Sequence, residues 1–251
     1  MRVAIVTGAA RGIGLAVARR LAVRGESVAL LDVDEAALET AALALRSERE
    51  GLSVMVCCAD VTRSADVARA VATVERELGA ATILVNSVGG STPAKPIDAL
   101  TDEEWTRSLG LNLNSAFHCT RAVVPGMKAR RWGRIVNVAS VAGRTRSLFG
   151  GCDYTSAKAA VVGLTRQCAY ELAPFGITVN VVAPGLTLSE RVAERWASMP
   201  QEQQAHILSL IPTQRAGHVD EVAATIAFFC SEDASYSSGA IIDVNGGLFI
   251  P

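Results

Sequence analysis

Lysine is scarce in this chain: only three of its 24 cationic residues are lysine and the rest are arginine. With abundant alanine, that bias is the compositional mark of a G+C-rich bacterial genome and says nothing of function. Net charge is scarce as well. The cations face 25 acidic residues for a formal charge of −1, so no basic surface points to nucleic acid or an anionic membrane as partner. Aromatic residues make up 5% of the chain, and Trp105, Trp132 and Trp196 read as packing residues rather than a cofactor box. The six cysteines form neither a C-x-x-C pair nor a spaced framework; lying in apolar segments, they read as buried thiols in a reducing compartment. His118, His206 and His218 lack metal-ligand spacing, so no metal is expected. The apolar run in MRVAIVTGAARG is too short for a signal peptide or a spanning helix, which makes a cytoplasmic protein the expectation. No linker, repeat or low-complexity tract divides the 251 residues, and half of them are hydrophobic, enough for one domain spanning 1–251.

What the chain has is a rhythm. Short apolar runs, VAIVT, SVALLD, SVMVCCAD, TILVN, RIVNVAS, ITVNVVA and AIIDV, alternate with helical stretches near 12–25, 34–50, 63–79, 102–130, 153–174 and 219–231. Runs that are continuously apolar belong to strands covered on both faces. The expectation is therefore an α/β protein with a doubly wound, seven-stranded parallel sheet, the Rossmann arrangement. The longest break in the rhythm, about 186–216, follows a strand's carboxyl end, where such folds bind ligands. It is expected to be a short helical substrate lid, with Trp196 in reach of substrate.

Between the first strand and first helix stands Gly8-Ala-Ala-Arg-Gly12-Ile-Gly14. Glycines there let the backbone approach a pyrophosphate, and the helix start offers free N–H groups and a positive dipole. Asp32 closes the second apolar run, where a carboxylate can hold the adenosine ribose hydroxyls and repel a 2′-phosphate. It could also serve as a helix cap, a task for which Asp34 suffices. In DYTSAKAAVVG, Tyr154 and Lys158 are one helical turn apart. At about 4 Å and an effective dielectric near 20, an ammonium stabilises a phenolate by roughly 4 kcal/mol, which brings a phenol's pKa down towards neutrality. Desolvation opposes part of this. Tyr170 has no lysine one turn on.

From Thr7 to its carboxyl end the chain resembles the short-chain dehydrogenase/reductase family. Thr7-Gly8-x-x-x-Gly12-x-Gly14 is similar to its cofactor turn, with Arg11 and Ile13 between the glycines, Asp60-Val61 to its adenine contact, and Asn86-Ser87-Val88-Gly89 to its motif after the fourth strand. That last motif departs from the usual Asn-Asn-Ala-Gly by putting the larger Val88 in the wall. Asn112, Ser140, Tyr154 and Lys158 fall in the order and near the spacing of the family's catalytic Asn-Ser-Tyr-Lys set, and Pro184-Gly185 matches its nicotinamide-side loop. The hydroxyl for the carboxamide is then Thr187 or Ser189.

The resemblance implies a soluble NAD-dependent oxidoreductase interconverting a secondary alcohol and a ketone. Tyr154 is then acid/base, Ser140 steadies the substrate oxygen, Lys158 also holds the nicotinamide ribose, and Asn112 anchors a water relay. It also implies a homotetramer, built through the helices at 102–130 and 153–174. The alternative is an NADPH-dependent 3-oxoacyl reductase, drawing on Arg11 at a 2′-phosphate. A third reading, a non-catalytic dinucleotide sensor or scaffold, calls for a broken tetrad, and all four residues stand. Arg144 and Arg146 in VAGRTRSLFGG either face water or clamp an anionic substrate group.

Overall fold

The computed structural model describes residues 2–251. Six β-α crossovers build one sheet from β1 (Val3–Thr7), β2 (Ser27–Asp32), β3 (Val54–Cys58), β4 (Ala81–Asn86), β5 (Gly133–Val138), β6 (Ile177–Pro184) and a last strand (Ile241–Val244). Two helices, α1 (Gly12–Arg24) and α2 (Glu35–Glu48), link the first three strands; α3 (Ser64–Leu78) leads into β4. Between β4 and β5 run α4 (Asp102–Leu109) and α5 (Ser115–Arg130), and between β5 and β6 runs α6 (Cys152–Leu172). After β6 come β7 (Thr187–Leu188), α7 (Glu190–Ala197), α8 (Gln201–Ser209), β8 (Gly217–His218) and α9 (Val219–Phe229), which makes Ile241–Val244 β9.

The sheet order is β3-β2-β1-β4-β5-β6-β9, with every pair parallel. It is the seven-stranded doubly wound sheet expected. Alternate residues of each strand serve two cores. Ala4, Val6, Val28 and Leu30 pack with α1, α2 and α9 on one face; Val3, Ile5, Ala29 and Leu31 pack with α3, α5 and α6 on the other. Covering both faces is why the strands read as unbroken apolar runs rather than alternating ones.

Because all strands are parallel, their carboxyl ends lie along one edge. The order reverses between β1 and β4, which opens a crevice there, the usual ligand site of such sheets. The stretch expected as one helix over 102–130 is two helices joined by a single π turn, Gly110–Asn114. The extra residue of a π turn re-aims the side chains around it, and here it carries Asn112. Residues 186–216 hold α7 and α8, which close a small core of Leu186, Ile207 and Ile211 with Phe149 and Trp196. The sequence reading missed the two-residue pairing of β7 with β8 that anchors this excursion.

Candidate active site

The glycine turn joins β1 to α1. Gly8 and Gly12 adopt φ of 65° and 60°, the left-handed region that other residues enter at a cost, and a side chain on Gly14 would overlap the Gly8 carbonyl. Arg11, the residue before α1, offers no side-chain cap, so the first-turn N–H groups of α1 are left for a ligand. That is a cradle suited to the pyrophosphate of a dinucleotide. Thr7 braces it: its hydroxyl accepts from the N–H groups of Ser87 (3.1 Å) and Val88 (3.4 Å) across the crevice.

At the end of β2, the Asp32 carboxylate accepts from Ala10 N (3.3 Å), Val33 N (2.8 Å) and Asp34 N (3.3 Å). Those bonds hold it beside the turn, while Asp34 caps α2 through Ala37 N. Arg11 is paired with Asp34 at 2.8 Å, exposed. Asp60 folds back on Thr62, accepting from its N–H (2.9 Å) and hydroxyl (2.6 Å), and Val61 is buried, with His118 Nδ1 3.3 Å from its carbonyl oxygen. Asn86 turns into the protein. Its amide donates to Asn137 Oδ1 (2.8 Å) and Thr120 Oγ1 (3.2 Å), while its Oδ1 has no partner. Val88 packs against the α3–α5–α6 core, and its Cγ2 stands 3.3 Å from where a Cβ on Gly8 would lie, beside the glycine turn.

Beyond the turn the crevice deepens into a cavity of about 210 Å³. Ser140, Tyr154 and Lys158 line it, with Ile13 and Gly89, and Pro184, Gly185, Thr187 and Ser189 face them. Asn112 stands behind that wall. Its Oδ1 accepts from Gly90 N (2.9 Å), and its Nδ2 donates to Gly90 O (3.0 Å) and Ser108 O (3.1 Å), pinning the loop after β4. A Cβ on Gly89 would come within 2.7 Å of Lys158 Nζ and 2.8 Å of Asn112 Oδ1, so glycine is what lets both side chains reach this wall. Thr187 donates to the Gly185 carbonyl at 3.4 Å. Ser189 precedes α7 without capping it, and its Cβ lies 3.2 Å from where a Cβ on Gly12 would stand.

The electrostatics depart from expectation. Burial raises the Tyr154 phenol above its ordinary pKa; the Ser140 hydroxyl and the Arg191 charge pull it back in part. The net shift is upward, against the fall towards neutrality that the Tyr154–Lys158 spacing suggested. The Lys158 ammonium is buried, donates to the Val138 carbonyl at 2.9 Å, and lies 6.0 Å from the centre of the Tyr154 ring. Burial, then Arg191, brings its own pKa down to about 8. The spacing placed the two residues on one helical face, but burial of the phenol dominates its shift. The loop after Ser140 does not supply an anion clamp. Arg144 is paired with Asp243 at 3.3 Å and stacked over Phe249, Arg146 is exposed, and neither lines the cavity. The arginines that do are Arg191 and Arg195 of α7. Sequence reasoning passed over them because their i, i+4 spacing shows a shared face but not which way α7 presents it.

Comparison with known proteins fits this geometry. Residues 8–249 match the family model described as enoyl-(acyl carrier protein) reductase. The chain is 36% identical over 249 residues to the 3-oxoacyl-(acyl-carrier-protein) reductase FabG of Haemophilus influenzae, covering 99% of this chain and 98% of that one. It is 38% identical over 250 residues to the acetoacetyl-CoA reductase of Allochromatium vinosum, covering 99% of each. Among solved structures, levodione reductase superposes with a TM-score of 0.93 at 31% identity, over 98% of this chain and 96% of that one.

Proposed function

Since the chain belongs to the short-chain dehydrogenase/reductase family and is an oxidoreductase, we propose that it interconverts a secondary alcohol and a ketone at the cavity lined by Tyr154, Ser140 and Lys158. The observation that carries this is the placing of a phenol, a hydroxyl and a buried ammonium on one wall, with the Pro184–Gly185 loop opposite. A nicotinamide dinucleotide, when bound, supplies or takes up the hydride. Gly8, Gly12 and Gly14 with the start of α1 would hold its pyrophosphate, Asp32 the adenosine ribose, Asp60 and Val61 the adenine end. Gly89, Pro184, Gly185 and the unengaged hydroxyl of Ser189 would flank the nicotinamide, with Thr187 already donating to Gly185. Asn86 supports that wall from behind, and Val88 flanks the Gly8 turn.

Tyr154 gives its phenolic proton to the substrate oxygen in reduction and takes it back in oxidation. Ser140 donates to the same oxygen and steadies its developing charge. Lys158 holds its positive charge beside Gly89, and Asn112 fixes the Gly89–Gly90 segment of the wall. A phenol whose pKa is raised is protonated at neutral pH, which favours its use as an acid and hence carbonyl reduction. The reductase names of the relatives support the same direction.

Asp32 argues for NAD over NADP, since a carboxylate there meets a 2′-phosphate as a like charge, and Arg11 is already committed to Asp34. The second reading, an NADPH-dependent 3-oxoacyl reductase, rests on the names of the relatives. Residues 186–216 act as the substrate lid. Among the described residues no helix is long and apolar enough to cross a membrane. Exposed Trp105 and Phe117 on α4 and α5 support the homotetramer. The test is a panel of hydroxy acids, diols, aryl alcohols and 3-oxoacyl thioesters followed by NADH and NADPH absorbance. Turnover of a secondary alcohol or ketone is expected; cofactor binding with no turnover on any of them would refute the reaction class.

A further inference from the structure

The cavity holds two cations that the proposed reaction does not use. Arg191 and Arg195 lie four residues apart on α7, so their side chains leave one side of the helix, and both line the cavity. Arg191 reaches across it. Its Nη2 donates to the Gly89 carbonyl at 3.3 Å, and its Nη1 fills the space that a side chain on Gly90 would need. Among the described residues neither arginine is ion-paired with a carboxylate, whereas Arg11, Arg144 and Arg215 each are. The charge of Arg191 is felt at the chemistry, since it lowers the pKa of both Tyr154 and Lys158.

The dinucleotide's phosphates are the other anion this crevice would take. The end of α7 nearest the glycine turn, however, carries an acid: Glu190 Oε2 stands 3.5 Å from the position of a Cβ on Gly12. Arg191 turns the other way, to Gly90 and to Gly89, which adjoins Lys158. One turn further on, Arg195 lies over the Phe149 ring at 5.6 Å, and Trp196 and Met199 continue an apolar wall. Cation and hydrocarbon surface thus adjoin the reacting groups.

Resting on the reading of Tyr154 as acid/base, we propose that the substrate is a hydroxy acid or oxo acid whose free carboxylate pairs with Arg191. Arg195 adds a second positive charge one helical turn out, and the hydrocarbon part lies against Phe149, Trp196 and Met199. A guanidinium meets a carboxylate through two parallel N–H bonds, which fixes the acid's orientation as well as its charge. A neutral ketone or an acyl thioester leaves that fork without its partner.

The test separates this inference from the reaction class by using ligands that do not react. Butyrate and butyramide are titrated against the NADH-loaded enzyme and followed by NADH fluorescence. Butyrate is expected to bind at least about tenfold more tightly, a preference lost in Arg191→Ala and largely kept in Arg191→Lys. Alongside, the ratio of kcat/KM for acetoacetate over methyl acetoacetate is expected to fall at least about tenfold in Arg191→Ala. Equal affinity for acid and amide, or a preference that survives Arg191→Ala, overturns the inference. So does a loss of NADH affinity in Arg191→Ala with the acid preference intact, which would assign the arginine to the cofactor's phosphates. Carboxylate selectivity without turnover of either ester or acid would instead sink the role of Tyr154 and leave this site standing.

Discussion

Replacing Lys158 by methionine should make the cofactor-free protein more stable while disabling it. The ammonium is buried, and its pKa falls from 10.5 to about 8 in the fold. At about 1.4 kcal/mol per pH unit, keeping it charged in the native state costs about 3 kcal/mol near neutral pH. Methionine removes that cost and fills a similar volume, but leaves the Val138 carbonyl without its 2.9 Å donor, a loss of about 1–2 kcal/mol. The net expectation is a gain of about 1–2 kcal/mol at about pH 7. The sign has a pH signature. A base whose folded pKa is depressed destabilises the fold fully below that folded value, and the penalty fades as pH rises towards the unfolded 10.5. The advantage of Lys158→Met should therefore shrink to about nothing by about pH 9.5. Urea denaturation of wild type and variant at both pH values reads this directly. A variant less stable than wild type near neutrality, or a gain that does not change with pH, would refute the assignment of a strained, buried ammonium.

Other changes give independent readings. Asp32→Ala should raise the NADP-to-NAD ratio of kcat/KM by at least about tenfold, measured with both cofactors on one substrate; an unchanged ratio would mean that the carboxylate does not read the ribose. Gly14→Ala forces a Cβ onto the Gly8 carbonyl, so it should cost about 1–3 kcal/mol of stability in a thermal melt and weaken NADH binding. Normal affinity in a folded variant would show that the turn is not the phosphate cradle. With the phenol's pKa raised by burial, the rate of alcohol oxidation should climb without a plateau as pH rises to about 9, provided chemistry limits the rate; a flat profile would count against Tyr154 as the base.

The fold was legible because its strands are covered on both faces. VAIVT and SVALLD read as unbroken apolar runs, and their alternate residues do supply two separate cores. Gly8, Gly12 and Gly14 were legible because the turn's backbone admits little else, and Tyr154 with Lys158 because a helical period is fixed. What was hidden depends on geometry that period does not encode. The π turn at Gly110–Asn114 interrupts a pattern that reads as one helix, since a single extra residue barely disturbs the apolar rhythm. Lys158 donates to a carbonyl of β5 that is distant in sequence, and burial, which helical spacing does not encode, dominates at Tyr154. Arg144 found its partner Asp243 across 99 residues, while Arg191 came to the cavity by the packing of α7. Side-chain direction on an irregular segment is set by the packing of that segment, and short-range sequence carries little of it.

Proton transfer at Tyr154 is the claim on which the rest depends, and Tyr154→Phe removes the hydroxyl while keeping the ring that packs against Gly150. Turnover of wild type and variant should be compared on the best substrate of the panel, with NADH affinity measured on the same preparations. The account predicts unchanged folding and near-normal NADH binding with kcat lower by at least about 10²-fold. A variant that binds NADH and turns over at close to the wild-type rate would contradict it.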